Sequence, residues 1–338
     1  MLTATVEVPT ELYLNGYSFE EYLDHLRKDH PELYDLLSRE RCRDAERHIA
    51  KMNEASWEFE DERAGGRGLA YNSAQKSADS RKAGMITLLK CFSPSFETSG
   101  RSFGILDVLG GDGTVARFCE TLGRHAPTIY TADISKFMIG ACDAQALPCI
   151  RQSATRSLFR DNALDGVLIA YGSHHLDGSA RPLAVREAHR TLKAGGRLVL
   201  HDFEIGGRCA QWFDSVVDPY SRTGHPHAHF SRDEMFDLFA SAGFRDVRVF
   251  EISDPFTLRG NSPGEARHNA IMHMHDMYDL IKIADSPCDI VLRLEHHINE
   301  TLGPISIRQE EHRYVAEIPR QALVAMGTKS GDGGSWRP

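Results

Sequence analysis

Histidines and carboxylates gather in this sequence at places where a chain can do chemistry. "AYGSHHLDG" carries His174 and His175, and "LVLHDFEIGG" carries His201 and Asp202, each pair closing an apolar run that reads as a strand. At strand ends such groups can act as general bases or hold a divalent ion of the zinc or iron type, with one position open to substrate oxygens. Neighbours on a strand point to opposite faces, so His201 and Asp202 cannot both face a substrate without a local bend, and one of them is expected to be structural. "TGHPHAHF" adds His225, His227 and His229, "EARHNAIMHMHD" a further group, and "RLEHHINETLG" contributes Glu295, His296 and His297. Taken singly, a histidine is more often packed or solvated than a ligand, so the clusters become informative only through the elements that position them.

A second candidate is the stretch "GILDVLGGDGTVARF", Gly104 to Phe118. Its glycines let the backbone turn tightly at a strand end and approach a ligand closely while a helix starts beneath it. Gly111, Gly113 and Ala116 satisfy the dinucleotide pattern G-x-G-x-x-G/A, so a nicotinamide-dependent dehydrogenase is one reading. The flanking residues favour another. Asp107 stands where a pyrophosphate-binding loop ordinarily has an apolar residue, and a carboxylate there suits a cation such as S-adenosylmethionine (SAM), with its amino group and sulfonium. Asp133 closes the next strand in "YTADIS", where an acid can accept hydrogen bonds from both ribose hydroxyls. In the bland alternative Asp107 and Asp133 cap helices and Asp112 is a solvated turn residue.

The elements that must carry these residues follow from periodicity. Residues from about Ser18 to Ala55 keep an apolar stripe at helical spacing, with Ser18 and an acidic first turn as a start signal. From Phe103 strands alternate with helices: "FGILDVL", "TIYTAD", "DGVLIAYGS" and "RLVLHDF" are the strands, and the order implies a parallel sheet with ligands at the strands' carboxyl ends. The expected organisation is a helical cap or oligomerisation region over 1–100, a core over 101–252, a mostly helical insertion over 253–309, final strands over 310–328 and a flexible tail over 329–338.

At 338 residues the chain can bury a sizeable core. Its formal charge of −9 argues against nucleic acid as a main partner, and no stretch approaches the ~20 apolar residues of a membrane span. Seven scattered cysteines without a C-x-x-C pair argue against a disulfide framework and a cysteine zinc site. The N-terminus lacks a basic start and an apolar run, so the expected location is the cytoplasm.

From about residue 103 to 250 the chain resembles the class I SAM-dependent methyltransferases. Asp107, Gly111 and Gly113 match their first motif, with Leu109 where the first glycine usually stands. "SATRSLFRDN" approximates their adenine-side stretch, with Ser153 in place of an aspartate and Ala154 beside it. "EAHRTLKAGGRLVL" is similar to the segment before and through the fifth strand. The resemblance implies a Rossmann-like α/β fold with an N-terminal helical cap and a C-terminal insertion. It also implies SAM as cofactor, held by Asp107, Gly111, Gly113, Asp133, Ser153 and Ala154.

The cap, the glycine turn, the late insertion and the histidines together resemble a narrower group, the bacterial α-keto acid C-methyltransferases that make β-methylated amino acid precursors for peptide antibiotics. That resemblance implies methylation of the β-carbon of an α-keto acid through a metal-stabilised enolate, with 5-guanidino-2-oxopentanoate, precursor of 3-methylarginine, as the implied substrate. By position His174 and His225 resemble ligands of a divalent metal, zinc or iron, with His296 as third. His175, His201 or Asp202 is left as base or supporting partner, His174 itself being within reach of the reacting carbon. A guanidinium substrate would need an acid such as Glu204, Asp218, Glu295 or Glu300 at the far end of the pocket, whereas 2-oxoglutarate would call on Arg259 or Arg267. Competing readings are a metal-free O- or N-methyltransferase using His174 or His175 as base, the dehydrogenase, and a non-catalytic SAM-binding scaffold. The expected partners are a small-molecule keto acid and further copies of the chain, as a dimer or larger, with neither nucleic acid nor membrane.

Overall fold

Alternating apolar strands and amphipathic helices from residue 103 onward build one sheet around which the rest is packed. The computed structural model describes residues 12–94 and 103–331, apart from 15, 56, 124 and 285. Five strands run parallel: β1 (Gly104–Asp107), β2 (Thr128–Asp133), β3 (Cys149–Arg151), β4 (Leu164–Ile169) and β5 (Leu192–Asp202). They are buried on both faces, as parallel strands covered by helices are: Ile105, Ile150, Val167 and Leu198 are fully enclosed. β6 (Phe244–Ser253) follows, and the last strand, β10 (Gln321–Lys329), inserts antiparallel between β5 and β6, giving the order β3-β2-β1-β4-β5-β10-β6. The Rossmann-like sheet expected from the sequence is thus present, and Asp107, Asp133 and Asp202 each end a strand along one edge.

The N-terminal helices start where the sequence signals it. Ser18 accepts the Glu21 N–H while Glu21 reaches back to the Ser18 N–H, a reciprocal cap on the helix Phe19–Asp29. That cap covers the β3 edge: Tyr22 Oη donates to the Cys149 carbonyl at 2.9 Å, and the buried Arg151 guanidinium donates to the Tyr13 carbonyl at 3.0 Å.

The insertion departs from expectation. It holds two helices, Pro263–Tyr278 and Pro287–Thr301, but its ends form strands β7 (Phe256–Gly260) and β8 (Ser306–Glu310), which pair on either side of β9 (Arg313–Ile318) in a separate antiparallel sheet. β9 therefore belongs with the insertion, and only β10 returns to the core. The reason is local: Arg313 follows a two-residue turn with Glu311 at φ 51°, which folds β8 back on β9 before the chain can reach the main sheet. Most of the expected tail, residues 332–338, lies outside the described residues, as do residues 1–11. Among the described residues no helix is long and apolar enough to cross a membrane.

Candidate active site

The glycine turn links two strand ends. Gly111 and Gly113 hold φ of 55° and 84°, values that favour glycine, and the Gly111 N–H donates to Asp133 Oδ2 at 3.0 Å. A side chain on Gly110 would lie 2.8 Å from Thr131 Cγ2 and 3.0 Å from the Asp107 carboxyl, so this glycine too is required by close approach. Asp112 is not a solvated turn residue. It is 2 % exposed, accepts from Thr114 Oγ1 and Asn72 Nδ2 at 2.8 Å, and pairs with Arg117. Ser153 uses its hydroxyl locally, on Thr155, and Ala154 beside it is buried.

Asp107 and Asp133 carry the electrostatics of this cleft. Burial, then the neighbouring Asp133, pushes the Asp107 carboxyl up to about 8, with no hydrogen bond among the described residues to offset them. Burial also pushes Asp133 up to about 6, against hydrogen bonds from Ser135 and Gly111. An enclosed carboxyl without a donor fits a cationic ligand, which is what SAM would present. Such a ligand pulls the Asp107 proton off, so SAM affinity is expected to rise with pH, up to about tenfold per unit between pH 6 and 8, and to level off above. Calorimetry in buffers of different ionisation enthalpy checks this. Asp107→Asn should remove the component belonging to the protein; an unchanged pH profile in that variant would assign the effect to the ligand.

Beyond this cleft the histidines converge. Tyr171, two residues beyond β4, has φ 61°, a strained value for an aromatic residue, and the chain then enters the single turn Ser173–His175. β5 alternates as expected: Asp202 faces this turn, and His201 faces the other way. Asp202 accepts from Ser173 Oγ, from the His174 N–H at 2.7 Å and from the Phe203 N–H at 2.7 Å, and lies 3.0 Å from His174 Nδ1 and 3.1 Å from His229 Nδ1. His201 instead packs on Tyr171, takes the Tyr171 N–H at 3.4 Å and stands 3.5 Å from Asp254. It is structural.

The three histidines of 225–229 arrive on one face. Pro226 biases His225 toward extended backbone, and in an extended segment residues two apart point the same way, so His225, His227 and His229 all turn toward His174 and His175, with ring centroids 4.3–6.4 Å from one or the other. The π-helical turn Phe213–Val217 brings Phe213 against His225 at 4.4 Å and His229 at 4.9 Å. Glu58, from the N-terminal arm, completes the group: its Oε2 is 3.1 Å from His175 Nδ1 and 3.3 Å from His227 Nε2.

Three overlapping sets here have ligand atoms within 4.8 Å of one another: His174, His175, His225; Glu58, His175, His227; and His174, Asp202, His229. A carboxylate only accepts, so Nδ1 of His174 and of His229 carries the proton and Nε2 offers a lone pair. His229 Nε2 and both nitrogens of His225 are buried without a hydrogen-bond partner among the described residues. Burial lowers the pKa of His174, takes His175 down to about 3 and lowers His225 further, which keeps the rings neutral as metal ligation requires. Burial would raise Asp202 and Glu58, but the imidazoles beside each, and Arg67 beside Glu58, hold both well below the ordinary range. Neutral imidazoles oriented by carboxylates, with orphaned nitrogens turned inward, fit a divalent ion of the zinc or iron type.

His296 is not among them. It is exposed on Pro287–Thr301, next to His297, and His175 occupies the third place beside His174 and His225. The acids considered for a guanidinium are also elsewhere: Glu204 pairs with Arg232, Glu295 with Arg267, Asp218 accepts the His225 N–H, and Glu300 is exposed. Arg259 pairs with Asp79 and Arg267 with Glu295. The pocket beside the histidines is walled by Phe59, Phe203 and Phe213 with Arg67, Arg81 and Arg320. It and the Asp107 cleft are each about 20 Å³ and share Tyr71, Arg81 and Tyr171. Residues of the 58–81 arm line both. A larger concavity of about 540 Å³ lies on the cap, lined by Phe19, Tyr34, Cys42 and Arg160 and by none of the histidines.

Residues 106–200 match the family described as "Methyltransferase domain". A ubiquinone/menaquinone biosynthesis C-methyltransferase of Cellvibrio japonicus is 32 % identical over 146 residues, covering 37 % of this chain and 53 % of that protein. The corresponding protein of Bordetella avium is 23 % identical over 208 residues, covering 52 % and 77 %. The chain thus spans about half the length of the Cellvibrio relative. Among solved structures, a SAM-dependent methyltransferase from Archaeoglobus fulgidus is 18 % identical with a TM-score of 0.45, covering 77 % of this chain and 98 % of that one. A Haemonchus contortus phosphoethanolamine N-methyltransferase bound to SAM is 14 % identical with a TM-score of 0.46, covering 73 % and 52 %.

Proposed function

We propose that this chain, a SAM-dependent methyltransferase by its core domain, methylates the β-carbon of an α-keto acid. The observation that carries the reading is the group of His174, His175 and His225, with unpartnered nitrogens, adjoining the Asp107 cleft through a shared wall of Tyr71, Arg81 and Tyr171. Carbon beside a ketone is a poor nucleophile until it loses a proton, and a site for this reaction needs carbonyl polarisation, a base and exclusion of water. A divalent ion held by His174, His175 and His225 would supply the first as a Lewis acid. His227 or His229, close by, can take the proton. Phe203, Phe213 and the 58–81 arm exclude water and fix the substrate plane.

The aromatic wall and the absence of an uncommitted acid among the described pocket residues favour an apolar or aromatic keto acid over 5-guanidino-2-oxopentanoate. Mass spectrometry with SAM and a panel of keto acids tests this, with phenylpyruvate, 4-methyl-2-oxopentanoate, 5-guanidino-2-oxopentanoate and 2-oxoglutarate as members. A product heavier by one methylene, lost on chelation and restored by zinc or iron, is expected from the first two. Methylation that persists after exhaustive chelation would replace this reading by a metal-free O- or N-methyltransferase.

A further inference from the structure

The wall shared by the donor cleft and the histidine pocket contains a buried guanidinium, Arg81, that forms no ion pair among the described residues. Three guanidiniums face the histidine pocket. Arg67 pairs with Glu58 at 3.0 Å, and Arg320 pairs with Asp254, the one acid whose charge also reaches Arg81, so two guanidiniums share a single carboxylate there. Arg81, closing the turn Ala78–Arg81, is 4 % exposed and has no ion pair among the described residues. Its guanidinium lies over the rings of Tyr171 and Phe256, at 4.5 and 5.2 Å, one nitrogen contacts Met277 Sδ at 3.3 Å, and Nε is buried with no partner. The hydroxyl of Tyr171 too is buried without a hydrogen-bond partner among the described residues, and the backbone of that residue is left-handed.

An uncompensated buried charge is strongly unfavourable, and an orphaned hydroxyl adds to the cost. Strained backbone holding an aromatic residue in place points in the same direction, toward a bound ligand. We infer that Arg81 and Tyr171 form a receptor for a carboxylate at the seam between donor and acceptor. Arg81 Nε–H and Tyr171 Oη–H are the two donors, and the unbalanced positive charge sets the ligand's sign. The inference rests on the reading of this site as a methyltransferase acting on a keto acid, because both partners of that reaction bring a carboxylate: the amino acid end of SAM and the keto acid's own.

Binding measurements separate these sources without turnover. Calorimetry with the zinc-loaded full chain would compare SAM, decarboxylated SAM and the four keto acids above. In Arg81→Met, about a hundredfold weaker binding of one class of carboxylate ligand is expected, with decarboxylated SAM unaffected. Arg81→Lys should recover most of the loss, and Tyr171→Phe, which keeps the packing, should weaken the same ligand by about tenfold. Loss confined to SAM assigns the receptor to the donor, and loss confined to a keto acid assigns it to the acceptor. If neither SAM nor any keto acid loses affinity in Arg81→Met and Tyr171→Phe, or if decarboxylated SAM weakens as much as SAM, the receptor is overturned. Absence of keto acid methylation in the wild type would refute the functional reading while leaving the SAM arm of this test decisive.

Discussion

Replacing Asp202 with asparagine is expected to lower kcat/KM for methyl transfer by about 10²–10³-fold while the protein stays folded. Asp202 is 1 % exposed and accepts from three backbone or hydroxyl donors and two imidazole N–H groups at once. Asparagine keeps the shape but turns an NH₂ toward donors, so at least one ring must flip its tautomer or rotate away. Either change removes the inward Nε2 lone pair of His174 or His229. The stability loss should be smaller, on the order of 1–3 kcal/mol for one buried donor left unmade. Alanine, which removes every acceptor, should cost more of both. The measurement is kcat/KM beside the urea midpoint and zinc content: Asp202→Asn within threefold of wild type in activity and zinc would reduce Asp202 to a packing residue.

How much of this was legible in the sequence depended on the range of the interaction. β1, β2, β4 and β5 were readable because each is a short apolar run closed by an acid or glycine turn, and the signal is local. Ser18 and its partner Glu21 were readable for the same reason. The choice between His201 and Asp202 followed from strand alternation in principle, but which of them faced the site depended on where the Ser173–His175 turn and His229 come to lie, on the Asp202 side. Glu58 could not be found, since its role comes from an arm folding across the sheet edge more than a hundred residues away, and no spacing records that. His227 and His229 did carry a signal: alternate histidines around Pro226 mark one face of an extended segment, a pattern hidden when only helical spacing is sought. His296 failed for the opposite reason. Two adjacent histidines on a helix look like a cluster, yet the helix Pro287–Thr301 turns its buried face, with Leu294 and Ile298, to the protein and leaves His296 outside.

His225 gives the test in which structure and function pull apart. Both of its ring nitrogens are buried without a partner, so in the metal-free protein the side chain is an unmet polar group costing on the order of 1–3 kcal/mol. His225→Leu keeps the apolar contact with Phe213 and removes that cost. The metal-free variant is therefore expected to be as stable as wild type or more so, by about 1 kcal/mol or a few degrees in Tm. Zinc binding should move the opposite way. Losing one of three ligands exceeds the 10- to 100-fold effect typical of losing a group that only orients a ligand, so affinity falls by more than about a hundredfold. At a zinc concentration of about 100 Kd for the wild type, the roughly 2.7 kcal/mol of stabilisation by metal then largely disappears. His296→Ala, on the exposed helix, should change neither quantity. Thermal melts of both variants with and without zinc check this. A His225→Leu protein that melts lower without metal yet keeps its zinc shift would make His225 a core residue, and the ion would then belong to His174, Asp202 and His229.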